Sequence, residues 1–320
     1  MSERTLSVIG LGLIGGSLLR AADGAGWKAR GMARSAAVVT AAREGGFDVT
    51  SSIEDVLADD ALMVLAVPLP AVVDLLPVVA RHSPRCRLTD VVSVKQPVAA
   101  AVARLAPAVR YVGGHPMAGT SASGWAAGSA TLFAGAPWVV SSDDGADPEV
   151  WAQVAQLALD CGAHVVPAGA ADHDSAVARV SHLPHLLAAV LASVGADGGA
   201  LAMALAAGSF ADGTRVAASR PELVRAMCEG NRDALLTAVD DALGRLGAAR
   251  GSLASTGGLA ATIQAGHTAR QTFDRHSARG DVHHIDLTAP GTLARLRELA
   301  HQGARVVAVD GTRCQLELTA

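Results

Sequence analysis

Residues 5–18 read TLSVIGLGLIGGSL. A short apolar run stops at a glycine, and apolar residues then return at helical spacing. A strand that turns sharply into a helix accounts for the whole stretch. Gly10, Gly12 and Gly15 fit the pattern G-x-G-x-x-G. The first glycine permits the tight turn, the second lets the backbone approach a pyrophosphate, and the third lets the helix pack closely on the strand. The leading N–H groups of the helix would then face phosphates. Gly10, Gly12, Leu13, Ile14 and Gly15 are therefore candidate dinucleotide-binding residues. Among 34 glycines the motif gains its weight from its place at the first strand of an alternating pattern.

That pattern continues downstream. KARGMA (28–33), FDVT (47–50), ALMVLAVP (61–68), CRLTDVV (86–92) and VRYVGG (109–114) have the apolar, bounded look of strands. Between them SAAVVTAAREGG (35–46), IEDVLAD (53–59), AVVDLLPVVARH (71–82) and KQPVAAAVARLA (95–106) look helical. PWVVSS, EVWAQVAQLALDCG and AHVVPAG (137–169) add a strand, a helix and a strand, expected to complete the same sheet. From Ala170 the chain becomes Ala- and Leu-rich with helical periodicity, and the tail returns to strand, helix, strand, strand. The expected fold is α/β, with a doubly wound, mostly parallel sheet over 1–168, an all-helical domain over 169–280 and a short α+β extension over 281–320.

Composition narrows the partners. The chain has 320 residues, 50% of them hydrophobic, and a formal net charge of −4. It shows no basic cluster with interleaved aromatics, so nucleic acid is not expected. Cys86, Cys161, Cys228 and Cys314 lie far apart with no C-x-x-C pair, which argues against a zinc knuckle or disulfide framework and for a reducing cytoplasm. The N-terminus loosely imitates a signal peptide, but its glycines suit a strand, turn and helix better. No run of about 18 apolar, uncharged residues stands out, so no membrane span is expected.

Cofactor choice should lie at the end of the second strand, where an acid would hold the ribose of NAD. The stretch there is Gly31-Met32-Ala33-Arg34-Ser35, without an acid. Arg34 and Ser35 can grip a 2′-phosphate, so NADP is expected over NAD. On the alternative reading Arg34 is a solvated residue at a helix start and NAD binds. Val67, closing ALMVLAVP, joins the candidate cofactor contacts.

Ligands of such sheets sit beyond the carboxyl ends of the strands. TDVVSVKQP (89–97) and YVGGHPMAGTSASGWAAG (111–128) end there, bringing Ser93, Lys95 and His115. A lone loop histidine is more often structural than catalytic. In DHDSAVARVSHLPH (172–185), His182 and His185 share a helix face; with Asp172, His173 or Asp174 they would suit a metal, or they are polar groups fixed at a domain boundary. Arg215, in GTRVAASRPELVRAMCEGN (213–231), is placed to clamp a carboxylate or to cap carbonyls.

Together VIGLGLIGGS, LTDVVSVK, YVGGHPMAGTSASGWAAG, DHDSAVARVSHLPH and GTRVAASRPELVRAMCEGN resemble the prephenate and arogenate dehydrogenase family of tyrosine biosynthesis, over roughly residues 5 to 275. The resemblance implies a Rossmann domain, a helical domain that forms a homodimer, an NAD(P) cofactor, no metal, and oxidative decarboxylation of prephenate or arogenate. It implies that His115 meets the ring hydroxyl with Ser93 in support. It places Thr120 and Ser121 in the substrate loop and His185 and Arg215 on the substrate, the arginine on a carboxylate. Ser121 stands where relatives carry an acid. A 4-amino-4-deoxyprephenate dehydrogenase or a non-catalytic NAD(P)-sensing protein would share many of these features. A β-hydroxyacid dehydrogenase would need a lysine in the helical domain, whereas the chain's lysines are Lys28 and Lys95.

Overall fold

A computed structural model describes residues 4–120, 122–275 and 279–319. It divides into two compact units, one formed by the chain up to His173 together with Arg279–Thr319, the other beginning at Asp174 and ending before Arg279.

The first unit opens with β1 (Thr5–Ile9), α1 (Leu13–Gly24), β2 (Lys28–Met32), α2 (Ala36–Glu44), β3 (Asp48–Thr50), β4 (Leu62–Leu65), α3 (Leu69–His82), β5 (Arg87–Asp90), α4 (Gln96–Leu105) and β6 (Arg110–Tyr111). The strands form a parallel sheet in the order β3-β2-β1-β4-β5-β6. The chain runs outward from β1 in one direction and then from β4 in the other, so a crevice opens where β1 and β4 end side by side. Both faces of the sheet are covered. Leu62 and Val64 of β4 enter one core with α1, while Met63 and Leu65 enter another with α3 and α4. That explains why β4 reads as an unbroken apolar run.

IEDVLAD does not form the expected helix. It is a turn held by Val56 N to Ile53 O, because one isolated turn cannot repay the cost of starting a helix.

The expectation of one continuing sheet is also corrected. β7 (Gly114–Pro116), β8 (Pro137–Ser141) and β9 (His164–Ala168), with α5 (Pro148–Asp160) between the last two, belong to a second six-stranded sheet. The change happens at Gly113-Gly114. A Cβ on Gly113 would lie 2.8 Å from Ser141 Oγ, and one on Gly114 2.7 Å from the Asp90 carbonyl. The two sheets pass so closely here that side chains are excluded, and the chain turns to pair β7 antiparallel with β8.

The tail folds as β10 (Arg279–Asp286), α13 (Thr292–His301), β11 (Ala304–Asp310) and β12 (Arg313–Thr319). It does not stand apart. β11 pairs with β9 through Val306 and Val165, and Leu293, Leu296 and Leu299 of α13 enter the core that holds Trp151 and Val154.

The second unit contains the rest of α6 (Ala170–Val177) after His173, then α7 (Leu183–Asp197), α8 (Gly199–Leu205), α9 (Gly208–Thr214), α10 (Pro221–Gly230), α11 (Arg232–Ser255) and α12 (Ala260–Arg275). Ala178–His182 widen into a π-helix between α6 and α7, just ahead of Pro184, which has no N–H to donate. The resulting rod, Ala170–Asp197, is by length and composition apolar enough to cross a membrane, against expectation, and only 22% of its most apolar stretch is buried. Ser181, His182, Pro184 and His185 disguise that run in the sequence.

Candidate functional site

At the crevice the three glycines have distinct surroundings. Gly10 has φ +101°, and a Cβ there would lie 2.5 Å from both the Ala66 carbonyl and Val67 Cγ1. A Cβ on Gly15 would fall 1.9 Å from the Gly10 carbonyl, so the helix can sit on the turn only without one. Gly12 faces open space and precedes α1 with no side-chain cap. The leading N–H groups around Gly12, Leu13 and Ile14 thus border room for a phosphate, as a dinucleotide requires. Val67 is half-buried beside Gly10. Arg34 and Ser35 are exposed just past β2, and Ser35 starts α2 without a side-chain capping bond.

α1 is held from its other side by the GWAAG stretch. The Arg20 guanidinium lies 3.5 Å over the Trp125 ring and donates to the Gly16 carbonyl at 2.9 Å. Ser129 N donates to Ser17 Oγ at 2.9 Å. These small residues therefore allow a clamp on the helix, with a Cβ on Gly16 only 3.0 Å from the indole.

His115 is not in a loop. It is the middle residue of β7, paired with Val139 and 9% exposed. Its Nδ1 lies 2.8 Å from Nε2 of His173 on α6, and the rings meet edge to face at 77°. Lys95 does not face open space either. Its ammonium is buried, ion-paired with Asp90, and donates to the Gly114 carbonyl at 2.6 Å. Tyr111 OH donates to the other Asp90 oxygen at 2.6 Å and Val92 N to the first at 2.8 Å. This network ties the end of β5 to the residue preceding His115. Ser93 is half-buried in the same β5–α4 turn. Thr120 is exposed, its Oγ1 accepting from Ala122 N at 3.2 Å, and Ser121 lies outside the described residues.

In the helical unit, His185 is half-buried on the first turn of α7, which packs against the short turn Arg215–Ala218. Burial pushes the His185 pKa down; a hydrogen bond with the Val216 backbone opposes this and the Arg215 charge adds to it. His185 Nδ1 is buried without a hydrogen-bond partner among the described residues, and Arg215 is exposed. His182 is engaged elsewhere, its Nδ1 lying 3.1 Å from Asn231 Nδ2, which donates to the Asp174 carbonyl at 2.7 Å. Among the described residues no three His, Cys, Asp or Glu side chains converge as a metal site would need.

The nucleotide-binding domain of prephenate dehydrogenase matches residues 20–167, and its dimerization domain matches residues 169–256. The chain belongs to the prephenate dehydrogenase family. A Corynebacterium glutamicum structure provisionally described as a prephenate dehydrogenase is 44% identical with a TM-score of 0.88, covering 94% of this chain and 98% of that one. The cyclohexadienyl dehydrogenase of Zymomonas mobilis is 33% identical over 79% of this chain and 89% of its own. Synechocystis arogenate dehydrogenase is 30% identical with a TM-score of 0.74, over 84% of this chain and 99% of that one. This member of the prephenate dehydrogenase family is accordingly a dehydrogenase with a nucleotide-binding α/β domain and a helical dimerization domain.

Three polar residues of this family member escaped the sequence reading in their structural roles. Asp90 lies five residues before Lys95 in LTDVVSVK, a spacing that could have suggested their pairing, whereas Asn231 in CEGN meets His182 only through the fold, 49 residues away. His173 was visible only as one of several alternative metal ligands, because its partner His115 is 58 residues away.

Proposed function

We propose that this chain oxidises prephenate or arogenate with loss of CO₂, using NADP in preference to NAD, as a homodimer. The observation that carries the reading is the placement of His115. It is a strand residue fixed through Gly114 by the buried Lys95–Asp90 pair, in the same unit as the open, glycine-lined start of α1.

The cradle fits a dinucleotide, with Gly10, Gly12, Leu13, Ile14, Gly15 and Val67 against its pyrophosphate end and Arg34 with Ser35 toward the ribose. Arg34 makes no hydrogen bond or ion pair among the described residues, so its guanidinium is available to a 2′-phosphate. When bound, the oxidised nicotinamide supplies the hydride acceptor. His115, supported by Ser93, accepts the hydroxyl proton as the ring C4–H bond breaks, a task worth on the order of 10² to 10⁴ in rate. The electrons of the bond to the ring carboxylate then complete an aromatic ring and CO₂ leaves. The product is a phenol, so His115 returns its proton to the ring oxygen and no net proton is released. The family resemblance assigns Arg215 and His185 to substrate, the arginine to a carboxylate, and Thr120 to the substrate loop; Ser121, assigned to the same loop, lies outside the described residues.

The exposed leucines of the helical unit suit a second copy of the chain, and the match to a dimerization domain supports that occupant. Free thiols at all four cysteines suit a reducing cytoplasm. Steady-state assays of both substrates with both cofactors test the reading. Oxidation of at least one substrate, with higher kcat/KM for NADP, is expected; no NAD(P)H from any pairing overturns it.

A further inference from the structure

We infer that His173 is the positioning residue of His115: its Nε2 accepts a hydrogen bond from His115 Nδ1–H, which leaves His115 Nε2 unprotonated to act as the base. The inference rests on the function proposed above and names a residue that this reaction would otherwise leave unused.

The two nitrogens are 2.8 Å apart, and a hydrogen bond between them holds one proton. Two arrangements are possible. If His173 donated, the neutral His115 ring would carry its own proton on Nε2 and have no lone pair to offer a hydroxyl. Only donation by His115 matches a base at Nε2. The hydrogen bond on one imidazole nitrogen decides the protonation of the other, so the tautomer of His115 is set by its neighbour rather than by solvent.

Placement of His173 is strongly constrained. It is 2% exposed, and its own N–H bonds the Gly169 carbonyl at 2.9 Å in the first turn of α6. That turn is anchored by Asp143 Oδ1, which accepts from Ala170 N at 2.9 Å, and by His301 of α13, whose Nε2 lies 3.3 Å from Asp172. The edge-to-face approach at 77° aims one ring nitrogen at the other.

The proton balance of the reaction explains why an imidazole serves as acceptor. The proton taken from the hydroxyl returns to the phenolic oxygen, so His115 has to store it and not export it. A neutral acceptor stabilises the transient imidazolium through Nδ1–H while remaining a weaker trap than a carboxylate, which would hold the proton back from the product.

The test compares wild type with His173→Ala and His173→Gln, because the glutamine oxygen can accept the same hydrogen bond but takes up no proton. Nitrogen-15 NMR of histidine-labelled protein, with His115→Asn to assign the signals, reads the tautomer without substrate. Wild type should show His115 protonated at Nδ1 and bare at Nε2, and the alanine variant should move the proton to Nε2. In assays the alanine variant should lose roughly 10²-fold in kcat with KM little changed, and glutamine should restore most of the rate. A wild-type His115 protonated at Nε2, an unchanged tautomer in the alanine variant, or a folded glutamine variant as slow as alanine would overturn the inference. If wild type oxidises neither substrate, the proposed function fails, and the NMR result alone judges the histidine pair.

Discussion

The two units are built on opposite economies of burial. The first closes on itself. It has two apolar cores against one sheet and a buried Lys95–Asp90–Tyr111 network, and large side chains such as Trp138, Trp151 and Phe133 are almost completely covered. The helical unit leaves Leu187, Val190, Leu191 and Val194 of α7 and Leu243, Leu246 and Leu253 of α11 exposed. In α11 only Leu235 and Ala238 are buried. The contrast is one of coverage: the first unit buries its large apolar side chains within the chain, whereas in the homodimer proposed above the second would bury its own by association.

The sharpest way to break the first unit is Lys95→Met. It leaves Asp90 buried with its cation removed, and breaking a buried pair in this way costs about 3–5 kcal/mol. Urea unfolding should show that loss, with near-complete loss of activity as β7 is released from β5. Next, Leu243→Glu with Leu246→Glu puts two charges on one helix face that is exposed in the single chain. Light scattering should show the homodimer falling to monomer, and the helical unit should melt earlier while the first keeps its transition. If the dimer survives, the contrast between the units is wrong.

Arg34→Ala asks less of the structure, since the side chain is exposed. Loss of one charge-assisted contact, worth about 1.5–3 kcal/mol, should raise KM for NADP by roughly 10- to 100-fold and leave that for NAD almost unchanged. The smallest effect concerns pH. The folded pKa of His185 lies below its ordinary value of 6.5, chiefly through burial, so the unfolded chain binds its proton more readily. Its contribution to stability is present above that ordinary value and declines as pH falls below it. Thermal melts from pH 7.5 to 5.5 should show a gentle destabilisation of the helical unit, reduced in His185→Gln.

How much could be read beforehand follows the range of the forces involved. The glycines around β1, the strands of the first sheet and the helical texture after Ala170 are local patterns, and they were legible. The second sheet was not, because it depends on Gly113-Gly114 passing within contact of Asp90 and Ser141, an encounter between distant segments. His115 looked like a loop residue since Gly114-His115-Pro116 has no strand-forming composition; its neighbour strand β8 makes it one. Candidate site residues were legible as types in motifs, whereas their partners were not. Lys95 resembled a ligand-facing cation and is a buried tie, and His173 resembled a metal ligand and lies against His115.

The pairing of β11 with β9 has a consequence for how the molecule is made. Val165 and Val306 are separated in sequence by the whole helical unit, so β9 lacks this partner until the chain has been made past residue 306. During that interval β9 offers an unpaired edge and the core around Trp151 lacks the leucines of α13. The helices emerge and can find a second chain while the first unit is still unfinished. In the homodimer proposed above, assembly of the pair and completion of the sheet would overlap, and a nascent chain that stalls before residue 304 would leave the edge of β9 open to aggregation while its helices are free to meet a second copy.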